Sequence, residues 1–183
     1  PEEQGMDSQK LGAMLAEIDE RKIAVHSLLI IRNGYLVSET YFEPYQQDLK
    51  QDMQSVGRSF TSALIGIAID KGYIDGVDHQ VLDYFPDRTF ANLDKQKEGM
   101  TLEDVLTMRS GLEGESDPYY QAMQNSPDWI QYLLDKPIVD PPGSRWSYCA
   151  GCSHILTAIL QETTGMNPRD FAEKNLFQPL GIS

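Results

Sequence analysis

The order of apolar and polar positions divides the chain into a short mixed region and a long helical one. Leu11, Met14, Leu15 and Ile18 recur at helical spacing, and Asp7 or Ser8 can cap the helix they define. An apolar run from Val25 to Arg32 is followed by Asn33-Gly34 and then by a second run, Tyr35 to Phe42. Asn-Gly between two β-rich runs is the strongest short hairpin signal, and it predicts a hairpin over about residues 24–42. Two strands alone are marginal in water, so the hairpin calls for a larger sheet or a covering helix. The first helix can cover one face. No further strand pair is evident before residue 183, so the sheet reads as unfinished.

The region 50–183 is helical in pattern. Ser55 to Lys71 carries small and apolar residues on most faces, which predicts a central, buried helix ended by Gly72. Gln80 to Tyr84 is a short element that stops at Pro86. Thr101-Leu-Glu-Asp104 has the form of a capping box ahead of Val105, Leu106 and Met108. Ser126-Pro127 places a cap and an N1 proline before Trp129 to Leu134. Pro137 to Gly143 reads as a loop. Ser153 to Thr164 is a helix ended by Gly165, and Asn167-Pro168 starts another through Phe171 and Leu176. No internal repeat or low-complexity stretch is present.

Composition narrows the class. At 183 residues with 40% apolar and 23% charged, the chain fits about one ordinary globular domain. A net charge of −13 argues against binding nucleic acid or anionic lipid through a general electrostatic field. The longest apolar run, Ala63 to Ile69, falls short of the ~18 residues of a membrane span. No charged n-region and apolar h-region follow Pro1, so no signal peptide is expected within the chain. The last residues, Pro179 to Ser183, stop straight after an apolar stretch, as in an incomplete domain.

His26, His79 and His154 show no i, i+4 pairing, and Cys149-Ala150-Gly151-Cys152 has no second ligand pair at zinc-site spacing, so no metal is expected. Phosphate-binding glycine loops and the Gly-x-Ser-x-Gly elbow are absent. A serine at a helix start remains: Gln54-Ser55-Val56-Gly57-Arg58. Its hydroxyl can be an N-cap, the commonest role, or a nucleophile at the positive end of a helix.

Further segments carry a resemblance. Pro1 to Asp7, Ile30-Ile-Arg-Asn-Gly34, Ser55 to Gly66, Leu106-Thr-Met-Arg-Ser-Gly-Leu112, Pro142-Gly-Ser-Arg-Trp-Ser-Tyr148 and Phe177 to Ile182 occur in the order seen in one superfamily. The chain resembles the serine β-lactamases and penicillin-binding proteins, in particular the class C β-lactamase-like esterases and peptidases. The resemblance implies an α/β fold of the β-lactamase/transpeptidase type. Residues 1–183 would be the N-terminal part of one domain: the helical region plus the first hairpin of an incomplete antiparallel sheet, without the C-terminal strands. It implies a serine hydrolase that acylates Ser55 with an ester, amide or β-lactam. Tyr148 would be the acid/base across the cleft. The Ser55 N–H and one from a later strand would form the oxyanion hole, with no cofactor. It also implies a periplasmic or secreted setting and a small acyl substrate.

Three departures stand against the family pattern. Arg58 occupies the place of the Ser-x-x-Lys lysine; a guanidinium is not a base, though its charge can still favour deprotonation nearby. Cys149 and Ala150 follow Tyr148 where the family places a substrate-binding Asn. The Lys/His-x-Gly strand is missing, so a second polypeptide or a C-terminal segment would have to complete the sheet. Arg58 and the lost Asn also suit a non-catalytic relative that binds an acyl, peptide or peptidoglycan-like ligand. Tyr148 can be a buried aromatic. Cys149 and Cys152 flank a helix start as inert small hydrophobes by default, with a local disulfide or a reactive thiol as the alternatives. His154 is a structural helix residue, and Glu103 and Asp104 serve a helix start. Arg109 anchors a loop, and Trp129 and Tyr119-Tyr120 are core or subsite walls. Glu113, Glu115 and Asp117 form a solvated loop.

Overall fold

Asp7 opens the first helix, α1 (Ser8–Glu20), by accepting hydrogen bonds from the N–H groups of Gln9 and Lys10 at 2.9 and 3.0 Å. The architecture comes from a computed structural model that describes residues 1–113 and 119–182. It separates into two units, Pro1–Asp52 and Met53–Ser183.

In the first unit, Leu11, Met14, Leu15 and Ile18 of α1 are half-buried, as their spacing predicts. Two antiparallel strands follow, β1 (Ser27–Arg32) and β2 (Tyr35–Tyr41). Asn33 and Gly34 take φ of 53° and 80°, the paired positive values that a two-residue hairpin turn demands. Ile30 pairs with Ser38 and Ile31 with Leu36, so Val37 is an extra residue accommodated by a β-bulge. The Arg32 guanidinium donates to the Gly5 carbonyl at 3.0 Å and the Asn33 amide to Gln4 Oε1 at 3.1 Å, which fixes the N-terminal turn to the hairpin tip. The His26 ring stacks on Tyr45 with centroids 3.8 Å apart. None of the described residues of this unit is buried, and Leu29, Ile31, Tyr35 and Leu36 are exposed.

The second unit is helical and holds the core. Its helices among the described residues are α2 (Gly57–Asp70), α3 (Lys95–Glu98), α4 (Leu102–Leu106), α5 (Tyr119–Asn125), α6 (Trp129–Leu134), α7 (Ala150–Thr164) and α8 (Pro168–Ala172). Helix α7 is the central element. It touches α2, α4, α6 and α8, and buries Cys152, Ile155, Leu156, Ile159 and Leu160. Each fully buried aliphatic side chain of this kind contributes about 1.5–3 kcal/mol.

The expectation of a central, buried α2 is corrected. Only Leu64, Ile65 and Ala68 are buried on it, while Ser59, Ser62, Ala63 and Gly66 are exposed. Its apolar side chains share one face, and the small residues on the other bury nothing among the described residues. The capping box is present: Thr101 Oγ1 accepts from Asp104 N–H, and Asp104 accepts from Thr101 N–H at 2.9 Å. Asn167 caps α8 with Pro168 at its start. Gly72 and Gly165 take φ of 74° and 66° after their helices. The cap of α6 is displaced by two residues from the expected Ser126. Asp128 accepts from Gln131 N–H at 3.0 Å, and Ser126 Oγ bonds within the preceding turn. A carboxylate at the helix's positive end outcompetes a hydroxyl two residues earlier.

One buried cation was not singled out by the sequence. Lys97 is fully buried, and its Nζ donates to the carbonyls of Ala91 and Leu134 at 2.7 and 2.8 Å. Burial pushes its pKa down, against the opposing pull of Asp135 and Asp94.

Candidate active site

Ser55 does not cap a helix. It lies in the 3-10 turn Gln54–Val56 that leads into α2, and no side-chain capping bond forms at either helix start. Its Oγ instead sits 2.8 Å from Tyr148 Oη, across 93 residues of sequence. Ser55 is exposed and Tyr148 is 44% exposed, so the pair faces outward and is not sealed in the core. The reading of Tyr148 as a buried aromatic is therefore corrected. A hydrogen bond linking two accessible hydroxyls contributes little to stability, since water can replace either partner.

The backbone on both sides of the pair is unusual. Gln54, directly before Ser55, has φ of 45°. Met108 has φ of 57°, and its carbonyl accepts from Ser147 N–H at 2.9 Å, directly before Tyr148. Side-chain-bearing residues rarely occupy this region, and such strain collects at functional sites. The segment Met108 to Glu113 acts as a template for the chain that delivers Tyr148. Gly143 N–H donates to the Arg109 carbonyl at 2.8 Å, Val139 N–H to Gly111 at 2.8 Å, and Glu113 N–H to Pro137 at 3.0 Å. Gly111 needs its positive φ of 71°, and a Cβ there would run into the Asp140 carbonyl. Arg109 thus anchors a loop through its backbone, as expected.

Arg58 lies on the first turn of α2. Its guanidinium carbon is 5.1 Å from the centroid of the Tyr148 ring, a cation–π arrangement. Its Nε has no hydrogen-bond partner among the described residues. The structure therefore brings Ser55, Tyr148 and Arg58 together. His154, on the first turns of α7, is half-buried with its ring edge-on to Trp129 at 4.8 Å between centroids. Burial and, second, the charge of Arg58 hold its pKa below the ordinary value, so it is neutral at neutral pH.

The cysteines require a correction. They are not separate inert thiols: Cys149 and Cys152 form a disulfide. Cys149 caps α7, which starts three residues earlier than the apolar pattern predicted, at Ala150. The C-x-x-C spacing at a helix start was the available signal. Tyr120 is half-buried against the core. Glu113 is half-buried, with a carboxylate 3.5 Å from the Lys136 ammonium. Glu115 and Asp117, expected in a solvated loop with it, lie outside the described residues, as does the side chain of Tyr119. Among the described residues no three His, Cys, Asp or Glu side chains converge as a metal site, and no helix is long and apolar enough to cross a membrane.

A family model described as Beta-lactamase matches residues 3–183. A search of curated proteins gives no match. Among solved structures, a penicillin-binding protein homologue from Pyrococcus abyssi is 22% identical with a TM-score of 0.69 over 96% of this chain and 43% of its own. EstCE1, a hydrolase with promiscuous acyltransferase activity, is 20% identical with a TM-score of 0.73 over 94% of this chain and 51% of its own. SurE is 20% identical with a TM-score of 0.75 over 96% of this chain and 39% of its own. At these identities the likeness is one of fold. The chain spans about half the length of the solved proteins it matches.

Proposed function

The chain belongs to the beta-lactamase family, and from that premise we propose that it is a serine hydrolase site acting on an ester, amide or β-lactam carbonyl through an acyl-enzyme on Ser55. The observation that carries the reading is the 2.8 Å contact between Ser55 Oγ and Tyr148 Oη, because a nucleophile must have its proton acceptor within hydrogen-bond reach. Tyr148 Oη takes the Ser55 proton as the Oγ–carbonyl bond forms, then returns it to the leaving group. Arg58, 5.1 Å from the phenol ring, supplies positive charge beside the oxygens on which negative charge develops during the reaction. Water then releases the acyl group.

The oxyanion hole takes one donor from the Ser55 N–H. The second comes from a strand supplied by a second polypeptide or a C-terminal segment that completes the sheet. A periplasmic or secreted setting belongs to the same proposal, and the Cys149–Cys152 disulfide accords with an oxidising compartment.

A second reading has its own support. The permanently charged Arg58 in the lysine position and Ala150 after Tyr148 favour a relative that binds an acyl or peptidoglycan-like ligand without turning it over. Mass spectrometry separates the two after incubation with a chromogenic ester and a fluorescent penicillin. The hydrolase reading expects an acyl increment on Ser55 that disappears in Ser55→Ala. It also expects the acylation rate to rise about tenfold or more in Arg58→Lys, since a positioned general base contributes 10²–10⁴-fold. Ligand binding with no adduct in either form would leave the binding reading standing and remove the first.

A further inference from the structure

The Cys149–Cys152 bridge joins the residue that follows Tyr148 to the first turn of the helix behind it. Cys149 is the N-cap of the 15-residue α7, and its Sγ accepts from Cys152 N–H at 3.0 Å. It is 9% exposed, against 1% for Cys152. Only Ala150 and Gly151 intervene, so the loop that the bridge closes is very short. Such a loop restrains the unfolded chain least, which makes global stabilisation a weak reason for the bridge. A sulfur at a helix N-terminus, by contrast, is stabilised as a thiolate, and that favours the reduced form of a C-x-x-C pair. Reduction would not strip α7 of its cap, because a Cys149 thiolate still accepts the same N–H.

We propose that Cys149–Cys152 is a thiol–disulfide exchange site opened by a dithiol reductant, and that its state sets how firmly Tyr148 is held against Ser55. The second half rests on the hydrolase reading; the first does not. One thiolate of the dithiol attacks Sγ of Cys149, the more exposed of the two residues. The Sγ–Sγ bond breaks and its electron pair leaves on Cys152, which takes a proton from the reductant's second thiol. The resulting second thiolate attacks its own partner sulfur in the mixed disulfide, closing a cyclic disulfide and releasing Cys149, which takes a proton from solvent when it is not a thiolate. The chain gains two electrons, and the dithiol is oxidised.

The test uses the full chain in native buffer with millimolar dithiothreitol, followed by iodoacetamide and peptide mass analysis. Cys149, the more exposed of the two, should be alkylated without denaturant, and oxidised dithiothreitol should restore the bridge in a sample that has not been alkylated. Alkylation only after unfolding in guanidinium would overturn the exchange site. The coupling is read from the rate at which a fluorophosphonate labels Ser55, expected to fall several-fold on reduction and to recover on reoxidation. Cys149→Ser, which keeps a capping oxygen, should label at the reduced rate whatever the redox buffer. An unchanged labelling rate would overturn the coupling alone. Should Ser55 label in neither state, hydrogen exchange at Ser147 to Cys152 decides instead. Faster exchange on reduction supports the coupling even though the hydrolase reading has failed, and no change overturns it.

Discussion

The hairpin unit and the helical unit are built from equally apolar segments, yet they bury them differently. In the helical unit Ile65, Val81, Ile155 and Ile159 have no exposed surface. In the hairpin unit Ile31 is 67% exposed and Tyr35 63%, although their strand register is regular at the turn. Local pattern is therefore enough to make elements, but a covering layer is what turns them into a core. The first unit has its helix cap, its turn and its exposed ion pairs, Arg21–Glu17 and Lys22–Asp19. Such exposed pairs contribute only about 0.3–0.5 kcal/mol each.

The contrast should be widest in native-state hydrogen exchange. Amides of α7 are expected to open only with global unfolding, about 5–15 kcal/mol for a domain, while those of Ser27 to Tyr41 exchange through far cheaper local openings. Equal protection in both would break the comparison. Next in size, Ile159→Ala should cost about 2–5 kcal/mol in urea unfolding. Leu15→Ala, from half-buried α1, should cost less than Ile159→Ala, because part of the Leu15 side chain is already in contact with water. Gly111→Ala should cost about 1–3 kcal/mol, visible as a lower Tm, since it forces a Cβ into the Asp140 carbonyl at a left-handed position.

The smallest effect concerns pH. His154 has its pKa lowered by burial and by Arg58, so the folded state prefers it neutral. The unfolded chain takes up the proton first, near the ordinary value of about 6.5. The stability it contributes is complete above that value and is lost as pH falls through the lower folded-state value. A pH series of Tm should therefore decline less steeply toward acid in His154→Gln than in the parent chain.

What was legible in the sequence was what depends on near neighbours. Asp7, Thr101 and Asn167 cap the helices they precede, and Asn33-Gly34 makes the turn, because each acts within a few residues of itself. The cap at Asp128 was misplaced onto Ser126 because two capping residues competed inside one turn. The burial of α2 was overstated because small residues fit either a packed or an open face. The contact between Ser55 and Tyr148 has no periodic signature at all; it came from the ordered resemblance and from the packing of α2 on α7. The strained carbonyl of Met108 that holds Ser147 was out of reach, since methionine gives no hint of positive φ.

The bulge at Val37 bears on solubility. Bulges increase twist and turn a strand's free edge away from regular pairing. Deleting Val37 would leave each of the six cross-strand partners opposite its present mate while flattening the ribbon. A flatter ribbon would offer its unpaired amides and carbonyls more readily to a neighbouring strand, so deleting Val37 is expected to make the hairpin a better template for edge-to-edge pairing.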